Sequence, residues 1–362
     1  MSEELTKFKP IYDIQKSYLE NANEGPFFDQ PVPARKWLPE SEWIDFFGYK
    51  VASPLGVPAG PLLNSKWTTL AARLGFDIPT YKTIRSYEHP SHPLPNVMFV
   101  ETEGELTRDR MGGVVKPLHE EPHAPEELAI TNSFGNPSRS HEYLQMDIHL
   151  ATHALEKGQV LIVSVFGTGE SHQELKEDFV RAALVAKEAG APIIEANFSC
   201  PNVSSGGTLY HDSELCFELA REIVKAVSPL PVIVKMGIFI SPKNMESVLR
   251  ALSKAGVRGI CGINTVPMKV LTEENEPALG NKRLQSGICG SPIRPLALEF
   301  VHQAKRIITD QNFDLDILGC GGITQPEHFD EFLDHGALAA LTATGMMWDP
   351  FLAHKWHNRR MS

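Results

Sequence analysis

Eight short β-rich runs recur along this chain, and a stretch of helical period separates most of them from the next. They are VASPLGVPAG (51–60), IPTYKTI (78–84), QVLIVSVFG (159–167), APIIEANF (191–198), LPVIVKMG (230–237), VRGICGINTV (257–266), LDILGCGGI (315–323) and ALAALTATG (337–345). Between them lie helices such as DSELCFELAREIVKAV, where Leu215, Leu219, Ile223 and Val227 form one apolar stripe and Asp212 or Ser213 can cap the start. Strands in alternation with helices predict a parallel sheet, and eight is the number that closes a (β/α)8 TIM barrel. A doubly wound open sheet is the structural alternative.

Two segments stand outside that alternation. Residues 1–48 form an N-terminal extension whose WLPESEWIDFF aromatics are expected to pack against the barrel or a partner. Residues 49–362 then make up the barrel domain, with a long insertion after the second strand, at about 85–139, rich in Pro, His and Gly. A connection of that length reads as a lid or as disorder, and on a barrel it belongs to the catalytic face. His119 and His123, isolated in its acidic part, read as solvated side chains.

Composition removes several function classes. A formal net charge of −11 with no basic cluster argues against a nucleic-acid or anionic-membrane binder. The start has no signal-peptide pattern, and no stretch approaches the ~20 apolar residues of a spanning helix, so a cytoplasmic protein is expected. The five cysteines contain no CxxC pair, which leaves neither a disulfide framework nor an iron–sulfur cluster. Cys216, Cys261 and Cys320 read as small buried hydrophobes. Cys200 differs, because NFSCPN sets it on a strand-to-loop junction between two asparagines.

Three patterns carry chemistry. Gly-rich turns end the seventh run (Gly319 to Ile323) and the eighth (Thr342 to Gly345), where barrels hold phosphate, although tight turns also require glycine. Lys82 and Lys235 sit near the ends of apolar runs, and a buried ammonium needs an anionic or polar partner. One such lysine is readily a structural ion pair; two, from strands two and five, point to a bound anionic cofactor. Asn132 and Ser133, Asn197 and Asn202, and Asn264 and Thr265 lie at strand ends or on the presumed top face, where their amides and hydroxyls can read a planar heterocycle.

Taken in order, SPLGVPAGP, YKTI, HPLPN, ITNSFGNPS, NFSCPN, VKMG, INTV, SGICGSPIRP, GCGGI and TATGMM resemble the dihydroorotate dehydrogenase family, from about residue 51 to 350. The resemblance implies a (β/α)8 barrel holding FMN at its C-terminal face. It implies that Lys235 lies near the flavin N1 and O2 and that Lys82, a catalytic residue, lies between flavin and substrate. Ala59, Gly60, Thr83, Asn132 and Asn197 would also meet the cofactor, and Gly290, Gly321, Gly322, Thr344 and Gly345 would hold its phosphate. Asn132, Ser133, Phe134, Gly135, Asn136, Asn197, Asn202, Asn264 and Thr265, with Lys82, would bind dihydroorotate. Cys200 matches the family's catalytic base, taking a proton from C5 while hydride leaves C6 for flavin N5.

Cysteine at that position resembles the soluble class, for which a homodimer is implied, whereas serine marks the membrane-associated, quinone-reducing class. The extension complicates the assignment, since membrane-associated members carry one too. No GxGxxG fingerprint follows a strand, so electrons are expected to leave for fumarate, a quinone, or NAD through a separate reductase subunit. Three competing functions stay open. One is a dihydropyrimidine dehydrogenase-like enzyme, in which histidine replaces Asn202. Another is a flavin-free lyase or isomerase using Lys82 or Lys235 as a Schiff base. The last is a barrel that only binds its ligand.

Overall fold

A computed structural model describes residues 10–35, 37–199 and 209–360. Its centre is a closed barrel of eight parallel strands in sequence order: Leu55–Val57, Ile78–Ile84, Ile162–Val165, Ile193–Asn197, Val232–Lys235, Gly259–Gly262, Asp316–Cys320 and Ala339–Leu341. The ring closes where Ala340 and Leu341 pair with Leu55 and Gly56, which excludes the open doubly wound sheet. Each strand coincides with one apolar run of the sequence, trimmed at the ends.

Between most consecutive strands a helix covers the outside. Ser213–Val227 buries Leu215, Leu219, Ile223 and Val227, the stripe read from sequence, and Asp212 caps it by accepting from the Glu214 and Leu215 amides. His172–Glu188 begins with a reciprocal capping box between Ser171 and Glu174.

The N-terminal segment closes the lower end of the barrel. Strands Ile44–Phe46 and Tyr49–Val51 form a hairpin about Phe47 and Gly48, both with positive φ, as a tight two-residue turn requires. Phe46 and Phe47 pack beneath the inward side chains Ile162, Ile193, Ile233 and Leu341. Gly259 gives Phe47 its room, since a Cβ there would stand 2.6 Å from the ring. Arg35 forks onto the fully buried Asp77 at 2.6 and 2.7 Å, and Ser53 and Gln159 donate to the same carboxylate. A buried carboxylate with four donors fixes the extension to the barrel, because removing any donor would strand charge in a low dielectric.

The helix Tyr18–Glu24 buries Tyr18, Asn21 and Ala22 against the protein itself. Its hidden face is thereby already used within the fold. Among the described residues no helix is long and apolar enough to cross a membrane.

The long connection differs most from the sequence reading. Residues 85–139 contribute three strands, Val97–Glu101, Val114–Leu118 and Ala129–Asn132, rather than an irregular lid. Two more, Val266–Val270 and Gln285–Gly290, follow the sixth barrel strand, and the five close on one another as a second, smaller barrel. The sixth run therefore ends at Gly262, and Val266 begins a separate strand. Periodicity does not reveal this sheet because its strands are short and two of its pairings join residues more than 150 positions apart, as Ile288 with Thr131. His119 and His123 are exposed in the connection between Val114–Leu118 and Ala129–Asn132.

Two buried histidines tie the C-terminal elements down. His357 donates through Nε2 to the Gly75 carbonyl at 2.9 Å, and His328 accepts from the Thr324 amide at 3.2 Å. Burial lowers both to about 4 from 6.5. With folded values below unfolded ones, the stability they carry is complete above pH 6.5 and is lost as pH falls through about 4. Unfolding in urea should therefore show stability falling over that window, with a contribution on the order of 1–3 kcal/mol from each histidine. His357→Gln, which keeps a donor for Gly75, should flatten the slope; an unchanged slope would contradict the assignment.

Candidate active site

All eight barrel strands deliver their C-terminal ends to one mouth, and the smaller sheet stands over it. The cavity between them has a volume of about 960 Å³, counting its open entrance. Its walls gather Ala59, Gly60, Lys82, Thr83, Asn132, Phe134, Asn136, Asn197, Lys235, Asn264, Thr265, Gly290, Gly321, Gly322 and Thr344. Ser133, Gly135 and Gly345 are not on the wall. Ser133 is within hydrogen-bond distance of His92, Gly135 packs on the His92 ring, and Gly345 lies against the Ile323 carbonyl. Cys200 and Asn202 lie outside the described residues.

The glycines provide space where the backbone must come close. At Gly290, φ is +99° and a Cβ would stand 2.0 Å from the Leu128 carbonyl oxygen. Gly321 and Gly322 also have positive φ, and a Cβ on Gly322 would strike Arg294. At Gly60 the situation reverses: a Cβ would meet no protein atom within 4 Å. Backbone there borders open space, as it must for a ring to approach it. These features leave room for a flat group beside Gly60 and for close backbone approach at Gly290, Gly321 and Gly322.

The amides are fixed in place by neighbours. Asn264 donates to the carbonyl and hydroxyl of Ser199, both at 2.9 Å, and accepts from the Thr265 amide. Asn197 accepts from the Ser199 amide at 3.2 Å. The turn after Asn132 is held from behind, where Arg85 donates to the carbonyls of Gly135 and Asn136 at 3.1 and 2.8 Å. Phe134, against which Tyr12 and Tyr18 pack, lies 5.9 Å from the Lys82 ammonium. The N-terminal extension thus supports the site from outside.

Beneath the amides lies a charged layer. The Lys235 side chain, 6 % exposed, donates to Cys261 Sγ at 3.3 Å. Burial alone would lower its pKa, but Cys261, Cys320 and Glu195 outweigh that and raise it, so the ammonium stays charged. For Cys320, a hydrogen bond from Cys261 and the charge of Lys235 overcome burial and bring the thiol down to about 6. Cys261 and Cys320 are buried in the apolar cluster, as their reading as small buried hydrophobes expects; in addition Cys261 accepts from Lys235 and Cys320 lines the cavity. Glu195, Cys289 and Cys320 were not among the sequence candidates. Glu195 was detectable by the rule that found the lysines, a charge inside an apolar strand.

Residues 44–359 match the family model described as dihydroorotate dehydrogenase. A curated dihydroorotate dehydrogenase of Dictyostelium discoideum is 48 % identical over 359 residues, 97 % of either chain. The catalytic subunit of dihydroorotate dehydrogenase B (NAD(+)) from Shouchella clausii is 35 % identical over 178 residues, 48 % of this chain and 55 % of that one. Dihydroorotate dehydrogenase A (fumarate) from Limosilactobacillus reuteri is 33 % identical over 172 residues, 47 % and 53 % respectively. In fold, the chain is similar to the crystal structure of DHODH in complex with ferulenol from Eimeria tenella, with a TM-score of 0.70 at 16 % identity over 94 % of this chain and 88 % of that one.

Gly290→Ala should cost at least about 2 kcal/mol, since it adds a Cβ against a carbonyl at a φ that favours glycine. A thermal melt would register this as a lowered midpoint; an unchanged midpoint would show that the turn can relax.

Proposed function

This chain belongs to the dihydroorotate dehydrogenase family and is an oxidoreductase, and from that premise we propose that it oxidises (S)-dihydroorotate to orotate with FMN, a step of pyrimidine synthesis. The observation that carries the reading is the convergence of two buried lysines, Lys82 and Lys235, with Asn132, Asn197 and Asn264 on one cavity at the barrel mouth. FMN, when bound, supplies the acceptor for the hydride that leaves C6.

The chain's own residues supply the rest. Cys200 acts as the base that takes the C5 proton, and Asn202 joins the other amides in orienting the pyrimidine ring. Lys235 would hold a fixed positive charge beside the flavin N1 and O2, where negative charge collects on reduction. Lys82 would stand between cofactor and substrate. Thr344, Gly290, Gly321 and Gly322 would receive the phosphate. Cysteine at position 200 supports a reading as a member of the soluble class, a cytoplasmic homodimer. Its electrons pass to a small oxidant or through a separate reductase subunit.

Anaerobic dihydroorotate should bleach the visible band of the FMN-loaded protein, and reoxidation with fumarate, menadione and NAD in turn would identify the oxidant. A protein bleached by dihydrouracil but not by dihydroorotate would sink the substrate assignment. Cys200→Ala should retain FMN and slow its reduction by on the order of 10²- to 10⁴-fold in stopped flow. Unchanged reduction would remove the thiol from the chemistry. Lys235→Ala should release FMN or lower its reduction potential, and normal values of both would refute the role given to this ammonium.

A further inference from the structure

The fourth barrel strand turns three side chains inward: Ile193, Glu195 and Asn197. Ile193 joins the hydrocarbon plug and Asn197 reaches the rim. Glu195 lies between them, 2 % exposed, on the cavity wall. Its neighbours in register are Ser164 on the third strand and Ile233 on the fifth. Neither bonds to it, and Glu195 Oε2 has no hydrogen-bond partner.

A buried carboxylate oxygen without a donor is costly, and a methionine of similar volume would satisfy the packing at lower cost. What methionine cannot supply is charge. The cation beside Glu195 in this layer is Lys235, two register positions higher on the adjacent strand and level with Asn197; it spends a donor on Cys261 rather than on the carboxylate. Glu195 therefore faces Lys235 through its field rather than through a hydrogen bond. Because both side chains are buried, that field is screened less than at the surface. The raised pKa of Lys235 includes a contribution from Glu195, in keeping with this geometry.

We propose that Glu195 is a positioning residue for the charge of Lys235: its carboxylate offsets part of the ammonium's field and so holds the reduction potential of bound FMN below the value that Lys235 alone would set. The inference rests on the FMN reading above. A lower potential makes the reduced cofactor a stronger donor, so Glu195 favours reoxidation by a weak oxidant at some expense of driving force for substrate oxidation.

The test is the two-electron midpoint potential of FMN in the holoenzyme, measured with a reference dye. Glu195→Gln should bind reduced FMN at least tenfold more tightly relative to oxidised FMN, an upward shift of about 30 mV. Glu195→Asp, which keeps the charge, should stay near wild type. Glu195→Met covers the case in which the glutamine variant folds poorly, and the same upward shift is expected. A change below twofold in that ratio, about 10 mV, in a glutamine or methionine variant that retains FMN overturns the inference and leaves the proposed function intact. Loss of FMN from both neutral variants but not from the aspartate variant also overturns it, because the charge would then serve loading rather than potential. Wild-type protein that binds no FMN overturns the proposed function and this inference together.

Discussion

Closure of the parallel sheet is the constraint from which the site follows. Once Ala340 and Leu341 pair with Leu55 and Gly56, eight strand ends must face a common axis, and the residues just beyond them have one place to go. Ala59, Lys82, Asn197, Lys235, Asn264 and Thr344 come from six different strands or their following loops, yet they line one cavity. The ring also decides what lies beneath them. Inward positions alternate along each strand, so an apolar plug at the lower end, which includes Cys261 and Cys320, gives way two residues on to Glu195 and Lys235.

That change from hydrocarbon to charge is affordable only because the charges answer one another. Two lysines and a glutamate in a dry interior would each be expensive alone, and the Cys320 thiol adds negative character next to the Lys235 ammonium. Two lysines against one glutamate leave the layer with an excess of positive charge before any ligand arrives. A ligand that gains negative charge during its chemistry therefore meets a field already set by the protein, with little rearrangement needed.

The barrel was legible in the sequence because its strands are buried on both faces and read as continuous apolar runs. Lys82 and Lys235 stood out against those runs. Glu195 breaks the run APIIEANF in the same way, but a single charge there is a weaker signal than the asparagines and Cys200 that follow it. The second sheet was illegible for another reason. Strands such as Val114–Leu118 contain a proline and a lysine, alternate weakly, and gain their meaning only from partners elsewhere in the chain. The turn-holding role of Arg85 was equally hidden, because its acceptors are backbone carbonyls some 50 positions away.

The smaller sheet is woven from two distant insertions, one after the second barrel strand and one after the sixth, joined where Val114 and Val115 pair with Lys269 and Val270 and where Ala129–Asn132 pairs with Gln285–Gly290. Neither insertion contains a complete fold of its own. A deletion in one would leave the other with an open edge above the cavity, and a graft of either onto a different barrel would import half a structure. The two loops are thus a single heritable part, free to vary in length at the exposed turns but bound to change together wherever their ladders meet.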